Sequence, residues 1–479
     1  MRRAAQLLPL LLLTPPAGAQ TTAPQTPAAQ PAALTAQATV ALNLVPATRV
    51  ARSGVTVPGT PAALNTSVTV RYGPSRPAAV LLLMPGYLGG AGSFDRLARQ
   101  LVHLDPTLAV WAVDRRSNLL EDHAPLLSGN ATQLAQVVQR GLPTRDPATL
   151  TYMKDWGLDT TLRDWRAAVL EARTLTPNVF IGGHSMGGTL TGLYATYDFG
   201  GVRGERDVQG LIMLDGLPGL MSGKPLSLDQ YEKGGGTNPI GSLPGLQQLN
   251  RAPFVSAPYF SPDLATRAAA QARLAALQPD ARAPQGGFAS FPATNLAAAM
   301  TRLDRRYALL PFMAISAGRA TNATDAPFLP SQALGGQDTR WITGATDPAR
   351  PVGWASDPTQ LTDALDFVQR YLTPLTDYTE WYFPNRLTLD LAAARTDTTG
   401  TPFERSLPVR SAQTLSLPVL GIAAEQGVTT AEQFRAYAAG TRAKLTTYTL
   451  KGAAHLDVTT ASSDQVARRI VTWLRPLRR

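Results

Sequence analysis

The sequence predicts an α/β fold around a mostly parallel sheet, interrupted by a large, mainly helical lid. Three observations carry this. Residues 79–84 and 108–113 are continuously apolar, as strands covered on both faces are. Strand patterns alternate with helix patterns on either side of them. The alternation then stops at Leu217 and resumes only near residue 411.

Taken in order, Val68, Val70 and Tyr72 alternate with polar residues, the mark of a half-buried strand. The strand at 79–84 runs into Pro85-Gly86-Tyr87-Leu88-Gly89-Gly90, and a helix follows with Phe94, Leu97, Ala98 and Leu101 on one face. The strand at 108–113 ends at Asp114-Arg115-Arg116, read as an ion-pair network at a cleft rim. A helix around Leu162, Trp165 and Val169 precedes a strand at 178–182, and a strand at 208–214 ends in Asp215-Gly216. Residues 217–410 are too long and too patterned for a loop and read as a lid or cap. Ser261-Pro262 opens one of its helices. Leu296, Met300, Leu303, Tyr307 and Leu310 give the period of a second, and Asp357-Pro358 opens a third along Leu361, Leu365, Val368 and Leu372. A strand at 417–423, a helix at 431–439, a strand at 446–450 and an amphipathic helix at 464–474 complete the core. Its two parts are therefore 48–216 and 411–479.

The composition narrows the chemistry. Of 479 residues, 44% are apolar and 16% charged, which leaves room for a large core. No apolar run approaches the ~18 residues of a membrane span. With no cysteine there is no thiol nucleophile, disulfide framework or cysteine-ligated metal. The net charge of +10 comes without a nucleic-acid motif and reads as a solvated surface. No metal-ligand spacing or nucleotide-binding loop stands in a persuasive context, so neither cofactor nor metal is expected. Arg2 and Arg3, a short apolar run and Ala17-Gly18-Ala19 read as a secretory signal cleaved after Ala19. Residues 20–47, rich in Ala, Pro, Thr and Gln, read as a disordered tether. An exported chain, secreted, periplasmic or held at the envelope, is the expectation.

Gly183-His184-Ser185-Met186-Gly187 lies between a strand and a helix pattern. A sharp turn there lifts the serine oxygen out of the sheet, and the flanking glycines let neighbouring backbone pass. The helix that follows places its N-terminal dipole beneath the serine. Of the four histidines, His184 stands beside Ser185 in the turn, where it is poorly placed to deprotonate it. His103 falls at a helix end and His123 in a polar loop. His455, after the last strand, remains as the general base.

With these residues the chain resembles the α/β-hydrolase superfamily over about 65–216 and 411–479. The resemblance implies an eight-stranded-type sheet, Ser185 as nucleophile and His455 as base. The stretch "WAVDRRSNLLED" and the ending "HLD" also look like those of large bacterial hydrolases. For the acid it leaves two candidates: Glu425 after the strand before the histidine, and Asp215 one strand earlier. By family position the oxyanion donors are the backbone N–H groups of Tyr87 and Met186. The expectation is a serine hydrolase acting on a carboxylic ester with a hydrophobic acyl or alcohol group, lipase- or esterase-like. An amidase or peptidase with the same triad, and a non-catalytic binding protein on this scaffold, are the competing readings.

Overall fold

The computed structural model describes residues 42–220, 225–238, 241–334, 336 and 338–479. The proposed signal and most of the tether lie outside them. Residues 42–46, read as the end of the tether, pack instead on the core, because Leu42 and Val45 are apolar and become buried. The Arg99 guanidinium fixes them by donating to the carbonyl oxygens of both.

Eight strands form the central sheet: β1 (Ala47–Ser53), β2 (Thr66–Tyr72), β3 (Ala79–Met84), β4 (Leu108–Asp114), β5 (Val179–His184), β6 (Leu211–Leu214), β7 (Val419–Gln426) and β8 (Leu445–Ala454). Their spatial order is β1-β2-β4-β3-β5-β6-β7-β8. The β1–β2 and β2–β4 pairs are antiparallel, and all later pairs are parallel. Every residue of β3 and β4 is buried, as the unbroken apolar runs 79–84 and 108–113 require, and Asp114 at the end of β4 is buried with them. The β1 sequence ATRVARS lacks that signature because it lies at the sheet edge and stays largely accessible.

The main flanking helices are α1 (Asp95–Leu104), α2 (Leu158–Leu175), α3 (Met186–Thr196), α4 (Ala431–Ala439) and α5 (Gln465–Leu474). α1 and α5 pack together on one face of the sheet, burying Leu97, Leu101, Val466 and Ile470. α2 and α3 cover the other, where Trp165 meets Tyr194 edge to face at 5.2 Å.

The insertion departs from the sequence reading in detail. Its helix Pro262–Leu277 begins where expected, with the Ser261 side chain accepting from Leu264 N–H. The second helix, Asn295–Met300, stops early. Leu303 and Tyr307 lie in turns closed on Asp304, whose carboxylate accepts from Arg306 and Ala317 N–H. The third begins at Ala364, capped by Asp363, while Asp357 closes a separate turn on Thr359. Among the described residues the insertion also holds three two-stranded antiparallel ribbons, whose mostly accessible residues leave no apolar pattern in the sequence. One apolar cluster runs without a break from Val80 and Trp165 of the core to Ala269 and Phe383 of the insertion. No helix of the described residues is long and apolar enough to cross a membrane.

Candidate active site

β5 ends at His184 and α3 starts at Met186, so Ser185 alone makes the turn. Its φ of 59° and ψ of −123° are strained for a residue with a Cβ. The turn is that tight because α3 passes directly over β3. A Cβ on Gly187 would stand 1.9 Å from the Met84 carbonyl oxygen, so only glycine fits. Ser185 remains partly accessible while its neighbours are buried.

β6 ends one strand over, delivering Asp215, itself at a positive φ of 43°. Asp215 Oδ2 lies 2.6 Å from His455 Nδ1, and both side chains are buried. The remaining lone pairs of Asp215 are taken by β7 and the loop after it. Thr429 donates from Oγ at 2.6 Å and from N–H at 3.1 Å, and Ala424 and Val428 donate from N–H. Burial alone would raise this carboxyl, but the hydrogen bond and charge of His455 and the Thr429 and Val428 donors hold it below the ordinary carboxylate value. An ionised Asp215 can only accept, so the proton between the two groups sits on His455 Nδ1.

The structure thus brings Asp215, and not Glu425, to His455. Glu425 lies on the exposed end of β7, accepting from Lys451 Nζ at 2.7 Å and Gly452 N–H at 2.8 Å. The loop beyond it folds back over Asp215, which requires Gly427: a Cβ there would stand 2.0 Å from Asp215 Oδ2. Thr429 and Gly427 escaped the sequence reading, since their role depends on that fold-back.

The His455 loop is fixed from three sides. His455 and Leu456 donate from N–H to the Phe312 and Ala314 carbonyls of the insertion. The His184 ring meets the His455 carbonyl oxygen at 2.9 Å and stands 4.3 Å from the His455 ring. Burial and the neighbouring His455 depress His184 to about 3, so it stays neutral and donates. Asp457 accepts from Ala454 N–H beneath the loop and from Ser316 N–H of the insertion.

Tyr87 and Met186 flank Ser185 from the β3 loop and the start of α3. Among the described residues, neither backbone N–H has a hydrogen-bond acceptor. The Tyr87 ring packs edge to face on Phe383 at 4.8 Å, and its hydroxyl is pushed up by burial and by Tyr259. Trp381 and Tyr382 are buried beside Phe383 in the insertion. His123 is not surrounded by solvent as a polar loop implies. Its Nε2 lies 2.8 Å from Glu121 and 3.9 Å from Asp377, and its ring abuts Trp381. The ligand atoms of these three side chains lie within 4.8 Å of one another, a donor set of two carboxylates and an imidazole. The same atoms already have partners, with Trp381 donating to both carboxylates from its backbone and indole N–H.

No family model matches the chain, and no curated protein matches it. Solved structures similar to it include a protein taken to be a lipase from Sulfolobus solfataricus, 13% identical, covering 90% of this chain and 94% of that one at a TM-score of 0.48. An epoxide hydrolase from an endophytic Streptomyces is 16% identical, with coverages of 90% and 96% and a TM-score of 0.41. A thermophilic esterase from Thermogutta terrifontis is 14% identical, with coverages of 90% and 100% and a TM-score of 0.37. Likenesses at these scores say nothing of this chain's reaction. The strand order with its antiparallel β2, the serine turn between β5 and α3, and a histidine after the last strand give the chain the α/β-hydrolase fold.

Proposed function

We propose that the protein is an exported serine hydrolase that cleaves carboxylic esters through an acyl-enzyme. The observation that carries this reading is the buried 2.6 Å contact of His455 Nδ1 with Asp215, one strand from a serine held at positive φ. With Nδ1 committed to Asp215, Nε2 is the nitrogen available to Ser185. Ser185 Oγ attacks the carbonyl as His455 takes its proton, and Asp215 stabilises the imidazolium that forms. The N–H groups of Tyr87 and Met186 receive the oxyanion. His455 then protonates the leaving alcohol, and water admitted to the acyl-enzyme is activated the same way. The partly accessible Tyr87, its ring backed by the buried Phe383 at 4.8 Å, favours a hydrophobic acyl or alcohol group. Export rests on the signal sequence ending at Ala19.

The test is turnover of p-nitrophenyl esters from acetate to palmitate by wild type and Ser185→Ala. The reading expects turnover that the substitution abolishes, with a chain-length optimum above acetate. A wild-type protein that is folded but inert, or a variant as active as wild type, would refute it.

A further inference from the structure

The loop that carries Tyr87 is held by a charge that comes from neither the nucleophile turn nor the histidine loop. Arg115, just after β4, is 4% exposed, and Glu380 of the insertion is fully buried against it. Arg115 Nε donates to Glu380 Oε2 at 2.6 Å. Its Nη1 donates to the Pro85 carbonyl at 3.0 Å, and its Nη2 to those of Gly86 at 3.0 Å and Gly89 at 2.7 Å. Ser117 Oγ donates to the second oxygen of Glu380. The insertion closes the clamp through its backbone, with Glu380 N–H donating to Leu88 and Gly90 and Gly92 N–H donating to Tyr378 and Asp377. Leu88, at a φ of 59°, shows that the loop is bent against its own preference.

A trans peptide unit is planar, and its C=O and N–H point in opposite directions. The Gly86 carbonyl and the Tyr87 N–H belong to one unit. Holding that carbonyl on Arg115 therefore aims the Tyr87 N–H away from Arg115. Gly86 lies against the nucleophile, since a Cβ there would stand 3.0 Å from Ser185 Cβ and 3.5 Å from Ser185 Oγ. We propose that Arg115, anchored by Glu380, is a positioning residue for catalysis: it sets the Gly86–Tyr87 peptide so that its N–H serves the oxyanion. The insertion is thereby part of the oxyanion site and not only its cover. Lysine can replace this arginine only in part, because serving three carbonyls and a carboxylate at once takes the fork of donors that only a guanidinium has.

This inference rests on the serine hydrolase reading, and the experiment separates the two. Arg115→Met, Arg115→Lys and Glu380→Gln are compared with wild type for kcat and KM on p-nitrophenyl butyrate. Affinity for a trifluoromethyl ketone, which forms the oxyanion, is measured beside them. Arg115→Met is expected to lower kcat about 10²–10³-fold, the size of losing one oxyanion donor. It should weaken the ketone in proportion and leave KM within about threefold, since the ground state does not use the donor. Arg115→Lys and Glu380→Gln should fall between this variant and wild type. Unchanged kcat in the folded variants, or a raised KM at full kcat, overturns the proposal. If Arg115→Met fails to fold, Arg115→Lys and Glu380→Gln decide by the same criteria. Inactivity of the wild type would instead refute the hydrolase reading itself.

Discussion

The two carboxylates that the sequence left in competition separate by environment. Asp215 is enclosed and accepts from four donors besides His455, whereas Glu425 spends both oxygens on Lys451 and Gly452 at the surface. Asp215→Asn is expected to lower kcat about 10⁴-fold with little change in fold, because the amide cannot hold the Nδ1–H tautomer or offset the imidazolium charge. Glu425→Gln should leave kcat within about twofold. Equal losses in the two variants would remove the distinction. Gly427→Ala tests the same geometry from outside the proposed Ser185, His455 and Asp215 set, since its Cβ would displace Asp215 Oδ2. Steady-state kinetics should show a loss approaching that of Asp215→Asn, and near-normal turnover would mean the loop relaxes freely.

At the scale of elements, the insertion reaches both loops around Ser185. Residues 312–316 hold the His455 loop, and 377–380 hold the loop of Tyr87. Two buried carboxyls sit behind the first contact. Burial pushes Asp304 and Asp457 up to about 6, against the backbone donors that pull each down, and Asp304 adds to the rise of Asp457. Their folded-state values exceed those of the unfolded chain. The stability they contribute is therefore complete below about pH 4 and is lost as pH rises through 6. Relative to wild type, Asp304→Asn should gain in Tm between pH 5 and pH 7, and a pH-independent difference would contradict the assignment. These contacts also mark where sequence reading ends. β3, β4 and the Ser185 turn were legible because continuous burial and a forced glycine leave a local signature. β1, the three ribbons and the early stop at Met300 were not, because edge exposure and long-range pairing decide them. The choice of Asp215 likewise depends on a loop returning from another strand.

For the whole molecule, core and insertion share one apolar cluster and a buried ion pair, Arg115–Glu380. Elements that lose their packing partner when the other opens unfold together. Calorimetry should therefore show a single transition for core and insertion, and two separated transitions would mean that the insertion is an independent lid.

Whether Ser185 is a nucleophile driven by His455 and Asp215 is decided by locating a covalent adduct. Wild type and Asp215→Asn are treated with a fluorophosphonate, digested and mapped by mass spectrometry over the first minutes. One phosphonylated peptide is expected, modified at Ser185, forming rapidly in wild type and far more slowly in the variant. An adduct on another residue, or none on the folded wild type, would contradict that role.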